Sequence, residues 1–169
     1  MHIPEDADEI PEEFLEEAEN CDMIICTGDL EGDAVLDDLL ERADVRVVKG
    51  ENDYVDLPEQ DLVTIEGMKF GVVHGHQIED MIDGGNQADV EEDVDDRSRP
   101  EKLMEFADLL KADILVTGHT HKPFRTDKGG TVLLNPGSAT GVDSEKKSCM
   151  VAVVEGTELK SCEILTSEG

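Results

Sequence analysis

Five short apolar runs in this chain each end in glycine beside a side chain able to bind a cation. "MIIC" leads into "TGD", "VRVV" into "KGEND", "KFGVV" into "HGHQ", "DILV" into "TGHTH" and "TVLL" into "NPGS". The densest is "VTGHTHKP", Val116 to Pro123, which holds two of the chain's five histidines, His119 and His121, around one threonine. Imidazoles at i and i+2 of extended backbone point the same way, and neutral imidazole is the commonest metal-ligand type. Taken alone, the octapeptide is equally readable as two loop histidines hydrogen-bonded to backbone. The other four segments decide for metal. In α/β proteins ligands sit outside the carboxyl ends of strands, where glycine lets the backbone turn sharply. Five such ends meeting at one rim would bring together Asp29, Glu51, Asn52, Asp53, His74, His76, His119, His121 and Asn135.

Mixed imidazole and carboxylate donors suit zinc, manganese, iron or cobalt and do not choose among them. A carboxylate among histidines from separate strands suggests two metals sharing a bridging ligand, about 3.5–4 Å apart, which activate water and stabilise the attacking and leaving oxygens of an in-line displacement. Phosphate-ester hydrolysis is the reaction that most needs such a pair, because it leaves little covalent chemistry for side chains. Plainer roles stand beside these. Asp29 could N-cap the helix "GDAVLDDLL", His74 and His76 could be hydrogen-bonded loop residues, and Asn52 with Asp53 could shape a turn. "ATGVDSEKK" reads as a surface turn.

Local patterning supplies the elements that would position these residues. "EIPEEFLEEAEN" predicts a helix, with Pro11 at its first position and Phe14, Leu15 and Ala18 as its apolar stripe. "DMIIC" predicts a buried strand, "DAVLDDLLERA" a second helix and "VRVV" a second strand. "DLVTI" and "KFGVV" predict a hairpin through Glu66-Gly67. "EKLMEFADLLK" predicts a third helix entered just after Pro100, and "DILV", "PFRT", "TVLL", "SCMVAVVE" and "LKSCEIL" predict strands. Alternating strands and helices followed by a strand-rich end predict α/β architecture with mixed sheets. No internal repeat is visible, and 169 residues fit one domain.

The chain carries 43 acidic and 14 basic residues, a net charge of −29. That charge repels nucleic-acid backbones, so binding to a nucleic-acid duplex is not expected. It also opposes compaction at low salt. A folded protein from a salt-saturated cytoplasm, as in an extreme halophile, accounts for it, because screening lengths there fall to about 3 Å or less. A dedicated basic partner is the competing account. From Glu79 to Arg99 the chain is polar, and "DGGNQADVEEDVDDRSRP" reads as a solvated acidic surface loop. Cys21, Cys26, Cys149 and Cys162 form no zinc spacing, and reduced thiols are expected. With no signal peptide and no run of eighteen apolar residues, the chain reads as cytoplasmic and not membrane-bound.

"TGD", "HGHQ", "GHTHKP" and "NPGSATG", in this order, resemble the calcineurin-like metallophosphoesterase superfamily. The nearest branch joins small archaeal and bacterial phosphodiesterases with the phosphoesterase-like sorting subunit of retromer, which "VVKGENDYVDLPEQDLVTI" and "LLNPGSATG" resemble in particular. The resemblance covers nearly the whole chain. It implies a four-layer α-β-β-α sandwich of two mixed sheets, with a dimetal site at the strand ends. By position, Asp29 would bridge the metals, His74 and His119 would complete one with Glu51, and His121 would bind the other, helped by His2. Asn135 and Gly137 would shape the loops rather than ligate.

Two departures from the family pattern follow. Where it opens with a strand ending in Asp-x-His, "MHIP" matches only the later part. The expectation is that the true start lies upstream of Met1; alternatively, the protein has lost one metal position and become a scaffold. Glu51 stands where the enzymes usually carry Asn, which adds negative charge beside a phosphate. The expected function is therefore a metal-dependent phosphodiesterase acting on a small phosphate ester through a metal-activated hydroxide. Two divalent ions are expected, manganese ahead of zinc, iron, nickel or cobalt, with His76 as catalytic proton donor to the leaving group. The alternative is a catalytically weak or inactive scaffold that binds a protein partner. A homo-oligomer is compatible with either.

Overall fold

A computed structural model of the chain describes residues 9–30, 33–78 and 100–167. His2 and the acidic segment from Glu79 to Arg99 lie outside the described residues. Helix α1 (Glu12–Glu19) begins one residue later than its sequence suggests, because Pro11 takes the capping position with φ −54° and ψ 135°. The Pro11 carbonyl accepts the N–H groups of Phe14 and Leu15. Glu12 and Glu13 then place carboxylates in the first turn, where the helix dipole favours them.

Strand β1 (Met23–Cys26), helix α2 (Asp33–Leu40) and strand β2 (Asp44–Val47) form a βαβ unit whose strands pair in parallel. Strands β3 (Gln60–Ile65) and β4 (Met68–Val73) make the predicted antiparallel hairpin. Its two-residue turn puts Glu66 at φ 51° and Gly67 at φ 98°, the left-handed pair whose twist matches that of a hairpin. Helix α3 (Pro100–Leu110) precedes β5 (Ile114–Val116). Strands β6 (Phe124–Lys128), β7 (Thr131–Asn135), β8 (Lys147–Glu155) and β9 (Glu158–Ser167) complete the chain.

The largest sheet has the order β3-β4-β5-β7-β6 and is mixed: β4, β5 and β7 run parallel, with an antiparallel strand on either side. The second sheet layer consists of the parallel pair β1-β2 and the antiparallel pair β8-β9. Met23 and Ile25 of the first pair, with Met150 and Cys162 of the second, pack on Phe70, Ile114 and Leu134 of the large sheet. The opposite face of that sheet, at Val73, Leu115 and Leu133, is covered by Phe106 and Ala107 of α3. Leu115 and Leu133 are fully buried, and removing such a side chain from water contributes about 2 kcal/mol. On the outer side of β1-β2, Leu15 of α1 and Leu39 of α2 pack with Ile24 and Cys26. The order of layers is thus α, β, β, α. No helix among the described residues is long and apolar enough to cross a membrane.

This topology places the site. Val72, Val116 and Leu134 lie in register on parallel strands. The residues that follow them, from His74, Thr117 and Asn135 onward, therefore emerge at one rim.

Candidate metal centre

At that rim His74, His119 and Glu51 gather, with one donor atom from each within 4.8 Å of the others. His74 is held most firmly. It follows β4 directly, is 2 % exposed, and its Nδ1 lies 2.6 Å from the Thr27 carbonyl oxygen. A carbonyl can only accept, so Nδ1 carries the proton and donates it. In the neutral ring the lone pair is then on Nε2, which is buried, has no hydrogen-bond partner, and lies 3.4 Å from Oδ2 of Asp29. That distance is long for a hydrogen bond. A ring oriented through one nitrogen by a carbonyl, with the other turned toward carboxylates, is the usual posture of a metal-binding histidine. Burial alone would lower the His74 pKa, but Asp29, the Thr27 carbonyl and Glu51 outweigh it and the pKa is raised. The proton favoured on Nε2 stands where a cation would stand.

Asp29 is 2 % exposed, and its carboxylate is gripped from one side. The Asn52 backbone N–H donates to Oδ1 at 3.0 Å and the Asn52 amide to Oδ2 at 3.3 Å. Beneath it, the buried Asp53 carboxylate accepts three backbone N–H groups: Asp29 at 2.8 Å, Leu30 at 2.6 Å and Gly50 at 2.8 Å. Asp53 therefore ties the loop after β1 to the loop after β2. The crossing is so close that a Cβ on Gly50 would fall 2.1 Å from Asp29 Oδ1, and one on Gly28 would fall 2.4 Å from the Gly50 nitrogen. Glycine is needed at both positions because there is no room for a side chain.

Glu51, from the same loop, is nearly half exposed and holds Oε1 3.2 Å from His119 Nδ1. His119 and His121 leave β5 with φ of 64° and 54°, and Asp29 has φ 56°. Left-handed backbone at non-glycine residues costs about 1 kcal/mol or more each, and such strain clusters at functional sites. Asn135 stabilises the histidine loop: its amide donates to the Gly118 carbonyl at 2.8 Å and to Thr120 Oγ1, while its oxygen accepts the Gly137 N–H. The expectation that Asn135 and Gly137 shape the loop matches this geometry.

His121 lines the same cleft as Asp29 and His119 but is outside the tight group. The His76 ring centre is 5.3 Å from that of His74 and 6.2 Å from that of His119. Burial and neighbouring His74 lower the His76 pKa. Gln77 anchors this turn. Its oxygen accepts the Gly75 N–H, and its amide donates to the Glu59 carbonyl and carboxylate.

The sequence reading missed the Thr27 carbonyl, the grip of Asn52 on Asp29 and the Gln77 anchor. Reading Asn52 and Asp53 as turn-shaping captured their loop and missed its target. The available signal was a glycine beside a carboxylate in both "TGD" and "KGEND". The donor set fits a divalent transition metal: two imidazoles, one of them oriented by a carbonyl, and the Glu51 carboxylate converge, with the Asp29 carboxylate beside His74.

Comparison with known proteins agrees with this geometry. Residues 1–157 match the calcineurin-like phosphoesterase superfamily domain. The chain is 36 % identical over 154 residues to a probable metallophosphoesterase of Methanocaldococcus jannaschii, covering 91 % of this chain and 72 % of the relative. Among solved structures, a single mutant of Vps29 from Entamoeba histolytica superposes with a TM-score of 0.77 at 32 % identity, covering 99 % of this chain and 96 % of that one. Wild-type Vps29 of the same organism in complex with zinc gives 0.75 at 33 % identity, covering 98 % and 94 %. From the matched domain, the relative and the four-layer fold, the chain belongs to the calcineurin-like phosphoesterase superfamily.

Proposed function

We propose that the protein is a metal-dependent phosphodiesterase whose cations are held by Asp29, Glu51, His74, His119 and His121, with His2 as a further ligand. The observation that carries this reading is the buried Nε2 of His74, turned by the Thr27 carbonyl toward Asp29 and left without a hydrogen-bond partner. In this reading Asp29 bridges the two positions, His74, Glu51 and His119 completing one and His121 the other. Divalent cations bound here would supply a nucleophile from water near neutral pH and positive charge for the phosphoryl oxygens.

The chain's own residues do the positioning. Asn52 fixes the rotation of the Asp29 carboxylate, and Asn135 fixes the loop that carries both rim histidines. His76 offers a ring N–H to the leaving oxygen of a small phosphate ester. Manganese is the proposed metal, although zinc accompanies one Vps29 relative. A salt-rich cytoplasm is the proposed setting, since a net charge of −29 needs screening to stay compact.

A second reading has its own support. Glu51 puts a half-exposed carboxylate where a phosphate would approach, and Vps29 structures cover nearly the whole chain. On that reading the protein is a catalytically weak or inactive scaffold for a protein partner. Metal content and hydrolysis of bis(p-nitrophenyl) phosphate, measured in molar salt with manganese, separate the two. Two metals per chain and turnover abolished by His119→Ala support the enzyme. At most one metal and no turnover support the scaffold.

A further inference from the structure

His76 is held differently from its neighbour His74. The His74 ring is oriented by the Thr27 carbonyl, whereas Nδ1 of His76 is buried and has no hydrogen-bond partner. With no bond at that nitrogen to fix the ring, its placement falls to the turn that carries it, Gly75 to Ile78. Two bonds close this turn. The Ile78 N–H donates to the Gly75 carbonyl at 3.2 Å, and the Gly75 N–H donates to Oε1 of Gln77 at 3.1 Å. Gly75 has φ 128°, a conformation that favours glycine. A Cβ there would lie 3.4 Å from the His119 Cβ, so this backbone runs against the rim histidine loop. The buried Gln77 amide also reaches outward. Its NH2 group donates to the Glu59 carbonyl and to the Glu59 carboxylate, each at 3.1 Å. Both of those oxygens can only accept, which fixes the amide: NH2 toward Glu59, oxygen toward Gly75. One residue earlier, the Pro58 carbonyl accepts the Lys49 N–H at 2.8 Å, and Glu51 lies two residues beyond Lys49. Pro58-Glu59 thus joins the loop that carries Glu51 to the turn that carries His76.

We infer that Gln77 is a positioning residue: by clamping the His76 turn to Glu59, it sets where the His76 ring stands relative to Glu51 and to the leaving oxygen of a bound ester. The inference rests on the proposed role of His76 as proton donor to that oxygen. Gln77 touches neither ester nor metal, and acts only through the turn. Its effect depends on the leaving group. A nitrophenolate departs without a proton, whereas the far more basic phenolate departs more readily when a ring N–H gives its proton to the oxygen as the P–O bond breaks. Displacing a donor by about 1 Å costs up to about a hundredfold in rate. Loss of the clamp therefore slows esters of basic leaving groups selectively. A residue that only stabilised the fold would slow all esters alike.

Two variants test it. Gln77→Met keeps the length of the side chain and removes its three hydrogen bonds. Glu59→Ala, at an exposed position, removes only the bond to the carboxylate and decides the matter if Gln77→Met does not fold. Each is assayed in molar salt with manganese on bis(p-nitrophenyl) phosphate and on diphenyl phosphate. The expected kcat on diphenyl phosphate falls about tenfold or more in Gln77→Met and by less in Glu59→Ala, with KM and nitrophenyl turnover near those of the unaltered protein. The second readout requires no turnover: imidazole proton–carbon spectra of the protein without added metal, whose five histidines give few signals. His76 is identified by the signal missing from His76→Gln. That signal should broaden or split in both variants, while the signal of His74, anchored by Thr27, stays sharp. Equal losses on the two esters, or an unchanged His76 signal, would overturn the inference. If the unaltered protein hydrolyses neither ester, the enzymatic reading fails, and the ring spectra alone decide whether Gln77 positions His76.

Discussion

Replacing Asp53 with asparagine should unfasten Asp29 without removing any atom from the candidate metal centre. In the native loop Oδ2 of Asp53 accepts the N–H groups of Asp29 and Gly50, and Oδ1 accepts that of Leu30. An amide has one oxygen. Placed at Oδ2 it keeps two bonds, now neutral, and turns its NH2 group onto the buried Leu30 N–H. An unsatisfied buried donor costs about 1–3 kcal/mol, and losing charge assistance on two bonds costs about 0.5–1 kcal/mol each. The sum, about 2–5 kcal/mol, is a large share of the 5–15 kcal/mol that typically holds a domain together. Urea unfolding in about 2 M salt, with and without manganese, measures it. The midpoint should fall with little change in slope, and the metal-dependent increment of stability should shrink, because Asp29 is no longer fixed. A loss below about 1 kcal/mol with an unchanged metal increment would refute the assignment of Asp53 as the tie between the two loops.

Gly50→Ala should be more damaging to metal binding than its one carbon suggests. The new Cβ would sit 2.1 Å from Asp29 Oδ1 and 2.3 Å from the Asp29 backbone nitrogen, so rotating the carboxylate away gives no relief. Metal retained after dialysis should fall well below one per chain, and full retention would show that the two loops do not cross this closely. Burial pushes the Cys149 thiol up to about 11. At pH 8 it should hold roughly a hundredfold less thiolate than an ordinary protein thiol, so its alkylation by iodoacetamide should be slow and rise about tenfold per pH unit toward pH 10; rapid labelling at pH 8 would show that its half-buried surroundings do not raise its pKa. Lowering salt from about 2 M to about 0.1 M lengthens screening from about 2–3 Å to about 10 Å, so the repulsion of a −29 chain should lower its thermal midpoint. An unchanged midpoint would mean that the carboxylates do not oppose compaction.

Much of the fold was legible because its inner strands are buried on both faces and appear as plain apolar runs. Val72, Ile114, Leu115 and Leu133 are fully buried, and their segments were recognised from composition alone. The Glu66-Gly67 turn was legible because few sequences supply two left-handed residues in a row. The gathering of His74, Thr117 and Asn135 at one rim was legible because each follows an apolar run, and β4, β5 and β7 run parallel.

What stayed hidden depends on chain crossings that no local pattern encodes. The Thr27 carbonyl that orients His74 is backbone, and every residue has one. The hold of Asn52 on Asp29 joins residues 23 apart, through loops whose meeting is fixed only once β1 and β2 pair. The half-exposure of Glu51, which bears directly on the choice between enzyme and scaffold, is likewise a property of the assembled rim.

Anomalous diffraction from crystals of the protein grown with manganese tests the central claim most directly. The account predicts a peak at about 2.0–2.3 Å from His74 Nε2, with Asp29, His119 and Glu51 oxygen or nitrogen atoms completing its shell. A well-ordered rim with no anomalous peak, or manganese bound only to surface carboxylates, would contradict it.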